Sequence, residues 1–383
     1  MNIQLITGSL SDTACDVLAV GIFEGEEASS SAGQAISETL RGQIIDILNN
    51  QPDSTKFGTT SILHVSYGKD TRKVVLLGLG KPQDFSLERV RGVAGEAVRA
   101  ARKFSAKSLG LVVPGLGDQA GLDPLKVGQA IAEGAVLGSY RFLHYKTDKP
   151  SLNGSELEFL FVSVGSKYLE PIKDGIGIGQ VIARGVNLTR DLVNHPANVM
   201  TPGKMAWHAT QIAEKSDLEV TVLEKADIEK LQMNTFLAVA QGSDEPPKLI
   251  IMKHMGNPSD SKLVALIGKG ITFDSGGISL KPSEGMQDMR DDMGGAATVL
   301  GAMQAISELQ LPVNVLAVVP CTENMPSGHA SRPGDVITSM SGKTIEIIST
   351  YAEGRLILAD AITYARQLGA THMVDLATLT GAI

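Results

Sequence analysis

The sequence has few of the residues that mark disulfide-rich or aromatic-rich proteins. Only two of its 383 residues are cysteines, Cys15 and Cys321, and neither stands in a C-x-x-C or zinc-finger spacing. We therefore expect two buried free thiols in a reducing compartment. Aromatic residues make up 4% of the chain and hydrophobic residues 43%, which predicts a core built mainly of aliphatic side chains.

Long apolar segments and an excess of basic residues are also missing. No stretch is long enough to cross a bilayer, and the N-terminal sequence MNIQLITGSLSDTACDVLAVGIF has the pattern of an alternating strand rather than of a signal peptide. We therefore expect a cytoplasmic protein without a membrane partner. The formal net charge is −8, and because no basic stripe with interleaved aromatics is present, nucleic acid is a disfavoured partner.

The signatures of several hydrolase classes are absent as well. The chain has no H-E-x-x-H motif, its seven histidines are scattered, and no G-x-S-x-G elbow is found. His329 lies in a loop sequence, PSGHASRPGD, and is interpreted as a loop residue rather than a metal ligand. Ser275 and Ser327 are interpreted as turn residues.

The length suits two domains. In the first half, short apolar runs alternate with helical patterns, and Ser86 can cap an amphipathic helix that begins at Leu87. The sequence Gly78-Leu-Gly80-Lys81 lacks the spacing of a phosphate loop, so a turn is favoured there over phosphate binding. The predicted strands of this half are Val17–Ile22, Ser61–Val65, Lys73–Leu79, Leu109–Val113 and Leu157–Val164.

The second half has a stronger alternation. Its predicted strands are Leu218–Leu223, Phe236–Ala240, Leu249–Lys253, Leu263–Ile267, Val313–Val319, Thr344–Ile348 and Met373–Leu376. Its predicted helices are Ala206–Lys215, Ala296–Glu308 and Leu356–Leu368. We expect a two-domain α/β protein, with a smaller N-terminal domain over 1–168 for assembly or regulation, a connecting helix over 169–190, and a larger catalytic domain over 191–383 whose mixed sheet is covered by helices.

Charged residues gather around glycine-rich turns in this second half. Lys269 follows the strand Leu263–Ile267, Asp274 lies in the next turn, and Glu353 precedes the last predicted helix. Asp292 immediately precedes another helix, where a carboxylate could equally be a helix cap. Because ligands of open α/β sheets bind beyond the carboxyl ends of the strands, we expect these groups to converge on one rim.

The chemistry of this set favours metal-dependent hydrolysis. Carboxylates bind divalent ions, and such ions polarise a carbonyl and activate water. As a ligand, Lys269 must be neutral, which requires a strongly lowered pKa beside the ions. Lys281 would stay charged and stabilise an oxyanion, and Arg355 would hold a small anion or orient the water. Taken singly, each residue could also be solvated surface, and we expect Asp288, Arg290 and Asp291 to face solvent or to lie behind the ligands.

Five segments carry a resemblance to a known family: Asn187–Pro202, Gly268–Gly295, Asn324–Asp335, Ala352–Asp360 and Asp375–Gly381. They resemble the leucyl aminopeptidase (cytosol aminopeptidase) family of dinuclear metallopeptidases. The resemblance implies that Lys269, Asp274, Asp292 and Glu353 bind two divalent ions, Mn2+ or Zn2+, with Asp274 and Glu353 bridging them. It also implies that Lys281 and Arg355 are catalytic and that Arg355 holds a bicarbonate. The substrate-binding residues implied are Lys281, Met289, Ser349, Thr378, Leu379 and Gly381.

The implied reaction is that of a metalloexopeptidase. A free α-amine would bind one metal, the scissile carbonyl would face the other metal and Lys281, and an N-terminal residue, leucine by preference, would leave the peptide. The resemblance also implies a homo-oligomer, since members of the family are typically hexamers.

The sequence departs from the family pattern at three places. Tyr351 stands at the position of a carboxylate metal ligand, and a phenol, with a pKa of about 10, is a poor ligand at neutral pH, although its backbone carbonyl could still coordinate. Ser349 stands at the position of an asparagine, and the chain ends at Ile383, where family members continue, so we expect a C-terminally truncated member with apolar surface exposed near Met373–Leu376. Two functions stay open: an aminopeptidase with its activity kept or impaired, and a non-catalytic relative acting as a subunit or scaffold.

Overall fold

A computed structural model gives the fold of the chain. The structure describes residues 1–8, 10, 13–25, 38–67, 70–112, 121–148, 156–216 and 218–381. The chain divides into two compact units, Met1–Ala183 and Arg184–Ile383. Each unit contains a sheet with helices, so the predicted α/β class is confirmed.

The first unit is built on a six-stranded sheet. Its strands are β1 (Asn2–Thr7), β2 (Val17–Phe23), β3 (Thr60–Tyr67), β4 (Asp70–Gly80), β5 (Ser108–Val112) and β6 (Phe159–Val164). They lie in the order β1-β6-β5-β2-β4-β3, and every pair is parallel except β3 with β4. The helices are α1 (Glu38–Asn50), α2 (Leu87–Lys103), α3 (Pro124–Ser139) and the start of α4 (Leu169–Asn194).

Helix α2 begins where the sequence predicts it. The Ser86 side chain accepts a hydrogen bond from the backbone N–H of Arg89, and an alanine- and valine-rich face of the helix is buried. The turn expected over 78–81 is wrong for Gly78 and Gly80, because both lie in strand β4. A Cβ on Gly78 would lie 2.1 Å from the carbonyl oxygen of Lys56. Close approach of two backbones therefore accounts for this glycine without a phosphate ligand.

The second unit contains a mixed sheet. Its strands are β7 (Glu219–Leu223), β8 (Lys248–Met255), β9 (Val264–Gly268), β10 (Gly270–Asp274), β11 (Asn314–Asn324) and β14 (His372–Leu376). Their order is β14-β9-β11-β8-β7, and β10 also pairs with β11. The strands β9, β10 and β14 run parallel to their neighbours, whereas β8 pairs antiparallel with β11 and β7. A short antiparallel pair, β12 (Val336–Thr338) and β13 (Thr344–Glu346), lies apart from this sheet.

Helices cover both faces of this mixed sheet. They are α5 (Pro202–Glu214), α6 (Lys225–Lys230), α7 (Asn234–Ala240), α8 (Gly294–Glu308) and α9 (Glu353–Gln367). One apolar cluster joins α5 and α8 to the sheet, and a second joins α7 and α9 to it. Of the helices within the described ranges, none has the length and apolar character needed to cross a membrane.

The prediction of a strand over Phe236–Ala240 is wrong, because these residues belong to helix α7. A short apolar run fits a buried strand and a buried helix equally well. The helix is decided by a distant residue: the buried carboxylate of Asp360 accepts hydrogen bonds from the backbone N–H groups of Thr235 and Phe236, at 2.9 and 3.1 Å. This carboxylate satisfies two donors of the first helical turn.

Candidate metal centre

Three buried carboxylates meet where strands of the second unit end. Asp274 is the last residue of β10, Asp292 comes just before α8, and Glu353 is the first residue of α9. Each offers a carboxylate oxygen, and these oxygens lie within 4.8 Å of one another. The three side chains that the sequence places in separate segments are thus brought to one point, at the sheet edge expected for a ligand site.

Lys269 lies among these carboxylates. It is the single residue between β9 and β10, and it is only 2% exposed. Its Nζ is 2.6 Å from Asp292 Oδ1, 2.9 Å from Glu353 Oε1 and 2.9 Å from the carbonyl oxygen of Thr378. An ammonium group has three protons to donate, and here each has an acceptor.

The pKa of Lys269 reflects two opposing effects. Burial lowers it, but the charges and hydrogen bonds of Asp292 and Glu353 outweigh burial and raise the pKa above its usual value. The lowered pKa expected from the sequence requires a bound cation. The two carboxylates hold the proton on Lys269, and a divalent cation bound to them would displace it.

Two carboxylate oxygens of the site have no donor. Among the described residues, Asp292 Oδ2 and Glu353 Oε2 are buried without a hydrogen-bond partner. Burial is the main cause that raises the pKa of Asp292 to about 7, with a further contribution from Glu353, while Lys269 and Thr378 act in the opposite direction. Unpaired buried carboxylate oxygens are costly unless a cation binds them. The donor set therefore fits a divalent ion, which accepts oxygen ligands of this kind.

Asp274 is held by contacts on both of its oxygens. Its Oδ1 accepts hydrogen bonds from the backbone N–H of Gly276 at 2.9 Å and from Asn324 Nδ2 at 2.8 Å. Its Oδ2 forms an ion pair with Lys281 Nζ. Asn324 also donates to the carbonyl oxygen of Thr350 at 3.0 Å. Sequence reasoning missed this role of Asn324, although the residue opens one of the segments that carry the family resemblance.

The glycine turn after Asp274 is tied to the segment that leads to Glu353. Thr350 Oγ1 donates to the carbonyl oxygen of Gly276 at 2.6 Å and accepts from the backbone N–H of Ser279 at 2.9 Å. Gly276 and Gly277 have φ values of +92° and +69°, which side chains with a Cβ rarely adopt. The two glycines therefore allow a tight turn directly after Asp274, and Thr350 is a further residue that sequence reasoning missed.

Lys281, Met289 and Tyr351 come together beside Asp274. Lys281 Nζ lies 2.8 Å from Met289 Sδ and 5.2 Å from the centre of the Tyr351 ring. The Tyr351 side chain is exposed, and its backbone N–H donates to Ser349 Oγ at 3.2 Å. The phenol therefore lies over the lysine that pairs with Asp274.

Asp292 is not a helix cap. The cap position of α8 is Met293, and no side chain caps this helix. Asp292 Oδ1 instead accepts hydrogen bonds from Lys269 and from Thr378 Oγ1, the latter at 2.7 Å. Thr378 thus reaches the site with both its hydroxyl and its carbonyl oxygen.

The other residues singled out from the sequence do not contact the three carboxylates in the described contacts. Leu379 approaches Gly354, because a Cβ on that glycine would lie 2.9 Å from Leu379 Cδ2. Arg355 is exposed on the first turn of α9, and Gly381 is exposed near the end of the described chain. Asp288 and Asp291 face solvent, as expected. His329 is also exposed, and its backbone N–H donates to Ser327 Oγ within a loop.

The fold and the site define a class: an α/β enzyme with a buried, carboxylate-rich site for a divalent cation. Residues 187–383 match the catalytic domain of the cytosol aminopeptidase family, and residues 19–149 match its N-terminal domain. The chain belongs to this family.

Individual relatives agree with this assignment. The chain is 44% identical over 383 residues to a probable cytosol aminopeptidase of Alkaliphilus metalliredigens (strain QYMF), covering 100% of this chain and 76% of that protein. A solved tomato leucine aminopeptidase mutant matches with a TM-score of 0.82 and 32% identity, covering 100% of this chain and 74% of that one. The bottromycin maturation enzyme BotP in complex with Mn matches with a TM-score of 0.81 and 34% identity, covering 96% and 73%.

Proposed function

We propose that this chain is a divalent-metal-dependent aminopeptidase that releases N-terminal residues from peptides. The observation that carries the proposal is the pair of unpaired buried oxygens, Asp292 Oδ2 and Glu353 Oε2, within a group of three carboxylates. Membership of the cytosol aminopeptidase family supports the same activity.

Asp274, Asp292 and Glu353 would hold the cation, with Lys269 as a further ligand once it has lost its proton. A bound divalent ion supplies Lewis acidity, which polarises a carbonyl and lowers the pKa of water. The Mn complex of a structural relative supports Mn2+ as one candidate, and the family resemblance adds Zn2+. A second ion and a bicarbonate at Arg355 remain predictions from the resemblance.

Lys281 is the proposed catalytic group for the oxyanion. Its side chain is 15% exposed, and its ammonium forms an ion pair with the buried Asp274. The pair with Asp274 and the contact with Met289 leave a proton of the ammonium available. Lys281 would donate this proton to the oxygen of a substrate carbonyl as that oxygen becomes negative.

The surroundings of the site favour an apolar N-terminal residue, leucine among them. Leu379 is 42% exposed beside Gly354, and Ile278 and Leu280 are 46% and 59% exposed on the turn that Thr350 holds. Apolar side chains that remain exposed next to a polar site are typical of a surface that binds ligand. We propose that the substrate-binding residues are those implied by the resemblance: Lys281, Met289, Ser349, Thr378, Leu379 and Gly381.

Hydrolysis of leucine amide by the purified chain tests this function. We expect turnover after Mn2+ or Zn2+ is added to chelator-treated protein and loss of turnover when chelator is restored. In Lys281→Ala, kcat should fall by about 100- to 1,000-fold, the usual effect of removing one oxyanion donor. Bound metal is measured in parallel. If Lys281→Ala also lost its metal, the fall in kcat could not be assigned to the missing oxyanion donor. Absence of turnover from folded, metal-loaded chain would overturn the proposal.

Position 351 favours a second candidate function. Tyr351 is exposed over Lys281 rather than placed among the carboxylates, so the site has one acidic ligand fewer than the resemblance implies. A non-catalytic subunit or scaffold is the corresponding proposal, and folded protein that binds metal without turnover would favour it.

Assembly, domain roles and location are also proposals. Family membership supports a homo-oligomer, for which the resemblance implies a hexamer, and size measurement in solution tests it. We propose that residues 1–168 form an assembly or regulatory domain, that 169–190 form a connecting helix and that 191–383 form the catalytic domain. The family name of the relatives supports a cytoplasmic location.

A further inference from the structure

We infer that the site binds one divalent ion tightly and that a second ion needs a carboxylate which position 351 does not supply. The inference rests on the proposed metal-dependent function and concerns the number of ions at the same site. It is carried by the partners of each carboxylate oxygen, by the charge of the site and by the contacts of Lys281.

The number of carboxylate oxygens without a partner matches a single bound cation. Both oxygens of Asp274 have partners in the protein: Gly276 and Asn324 donate to Oδ1, and Lys281 pairs with Oδ2. Asp292 Oδ1 and Glu353 Oε1 accept from Lys269. Of the oxygens of these three carboxylates, Asp292 Oδ2 and Glu353 Oε2 are the two that are buried without a hydrogen-bond partner among the described residues. One cation against these two oxygens satisfies both.

The charge of the site leads to the same number. With a metal bound, the three carboxylates would carry −3, the Lys281 ammonium +1 and Lys269, as a deprotonated ligand, no charge, which gives −2 before the ion is counted. One divalent ion brings this sum to zero, whereas two bring it to +2. An uncompensated charge of that size is costly in a buried site. A fourth carboxylate would reduce the sum for two ions to +1.

The space beside Asp274 is taken by a cation that belongs to the protein. Lys281 Nζ pairs with Asp274 Oδ2, contacts Met289 Sδ and lies 5.2 Å from the centre of the Tyr351 ring. The ring attracts the ammonium through its π face, which helps to keep Lys281 at this position. A second ion next to Asp274 would be repelled by the ammonium, and position 351 supplies an aromatic ring rather than a carboxylate that would offset the repulsion.

Among the described residues, no other acidic side chain joins the group of three carboxylates. Within the described ranges, only Asp274, Asp292 and Glu353 form a group close enough to share an ion, and the nearby Asp288 and Asp291 face solvent. The carboxylate that a second ion would need is therefore absent at Tyr351, the residue whose ring lies over Lys281. An aspartate at position 351 would add a ligand and remove the aromatic ring from Lys281.

Counting metal ions on the full chain tests the inference. Chelator-treated protein is dialysed against micromolar Mn2+, and in parallel Zn2+, and ions per chain are determined by native mass spectrometry and elemental analysis. We expect one ion on the unaltered chain and two on Tyr351→Asp. Tyr351→Asn introduces a side chain of nearly the same size as Tyr351→Asp but without a charge, and Tyr351→Phe keeps the aromatic ring. Both variants should therefore bind one ion per chain.

The outcomes are distinct from those that concern the function itself. Two ions on the unaltered chain, or one on Tyr351→Asp, would overturn the inference. Two ions on Tyr351→Asn would assign the effect to the bulk of the ring and would also overturn it. No ion on any variant would remove the proposed metal-dependent function as well. Because the Tyr351 side chain is 45% exposed, these substitutions should leave the fold intact, which circular dichroism checks.

Discussion

Lys269 Nζ lies 2.6 Å from Asp292 Oδ1, and both side chains are buried. Glu353 accepts a second bond from the same ammonium. In the absence of a metal, Lys269 is thus the cation that keeps two neighbouring buried carboxylates compatible with the folded state. A metal and the Lys269 proton therefore compete for the same negative charge.

Replacement of Lys269 by methionine, which is similar in size and uncharged, should destabilise the metal-free chain. We expect a loss of about 3–5 kcal/mol in the free energy of unfolding, because two buried carboxylates are left without a cation. Added Mn2+ should recover part of this loss. Denaturant unfolding with and without the ion measures both effects.

The matched control is Lys248→Met, which breaks the ion pair of Lys248 with the exposed Glu224. A pair with such an exposed partner contributes about 1 kcal/mol or less, so this variant should lose little stability. Equal losses in Lys248→Met and Lys269→Met would contradict the role assigned to Lys269.

Asn324 should matter for metal affinity although it is not a metal ligand. Its amide fixes Asp274 Oδ1 and the carbonyl oxygen of Thr350, so Asn324→Ala frees the carboxylate and the turn beside it. Loss of such a supporting contact weakens metal binding by about 10- to 100-fold. Titration calorimetry with Mn2+ measures the dissociation constant.

Asn234→Ala serves as the comparison for Asn324→Ala. The Asn234 amide also donates to a backbone carbonyl, that of Thr338 at 2.9 Å, but this bond is exposed and joins other elements. Its removal should leave the affinity for Mn2+ unchanged. The same affinity in Asn324→Ala and Asn234→Ala would show that Asn324 does not position Asp274.

His208 should make the chain less stable in mild acid. Burial is the main cause that lowers its pKa from 6.5 to about 4, and Lys204 and His195 add to the effect. Its Nε2 is buried without a hydrogen-bond partner among the described residues. The unfolded chain therefore takes up a proton near pH 6.5 that the folded chain takes up only near pH 4, so this contribution to stability is complete above pH 6.5 and is lost as the pH falls.

Between pH 6.5 and pH 4, the free energy of unfolding of His208→Gln should fall by about 1–2 kcal/mol less than that of the unaltered chain. This difference is smaller than the pKa shift of His208 alone implies, because the ring is partly exposed. Unfolding measured at several pH values tests this, with the exposed His329→Gln as control. An unchanged slope in His208→Gln would assign the acid sensitivity to other groups.

The strands and helices could be predicted where one pattern dominates. Strands β8 and β11 contain apolar runs of the right length, and α2 has both a cap residue and a buried face. Strand β10 was not predicted, because Asp274 was expected to lie in a turn. Phe236–Ala240 could not be assigned in the same way, because the choice between strand and helix depends on Asp360, more than 120 residues later in the chain.

The site was predictable in part. Lys269, Asp274, Asp292 and Glu353 stand at strand ends and helix starts, which a sheet brings together. The hydrogen-bond partners that hold this site could not be predicted, because Asn324 and Thr350 act through contacts between turns that are distant in sequence. The sequence likewise places Tyr351 beside the site but does not reveal that its ring lies over Lys281.

Comparison of leucine amide with N-acetyl-leucine amide tests the central claim most directly. Metal-loaded chain should release ammonia from leucine amide and leave the acetylated compound intact, because an aminopeptidase requires a free α-amine. Chelator should abolish the reaction with leucine amide. No cleavage of leucine amide by folded, metal-loaded chain, or equal cleavage of both compounds, would contradict the assignment of this chain as a metal-dependent aminopeptidase.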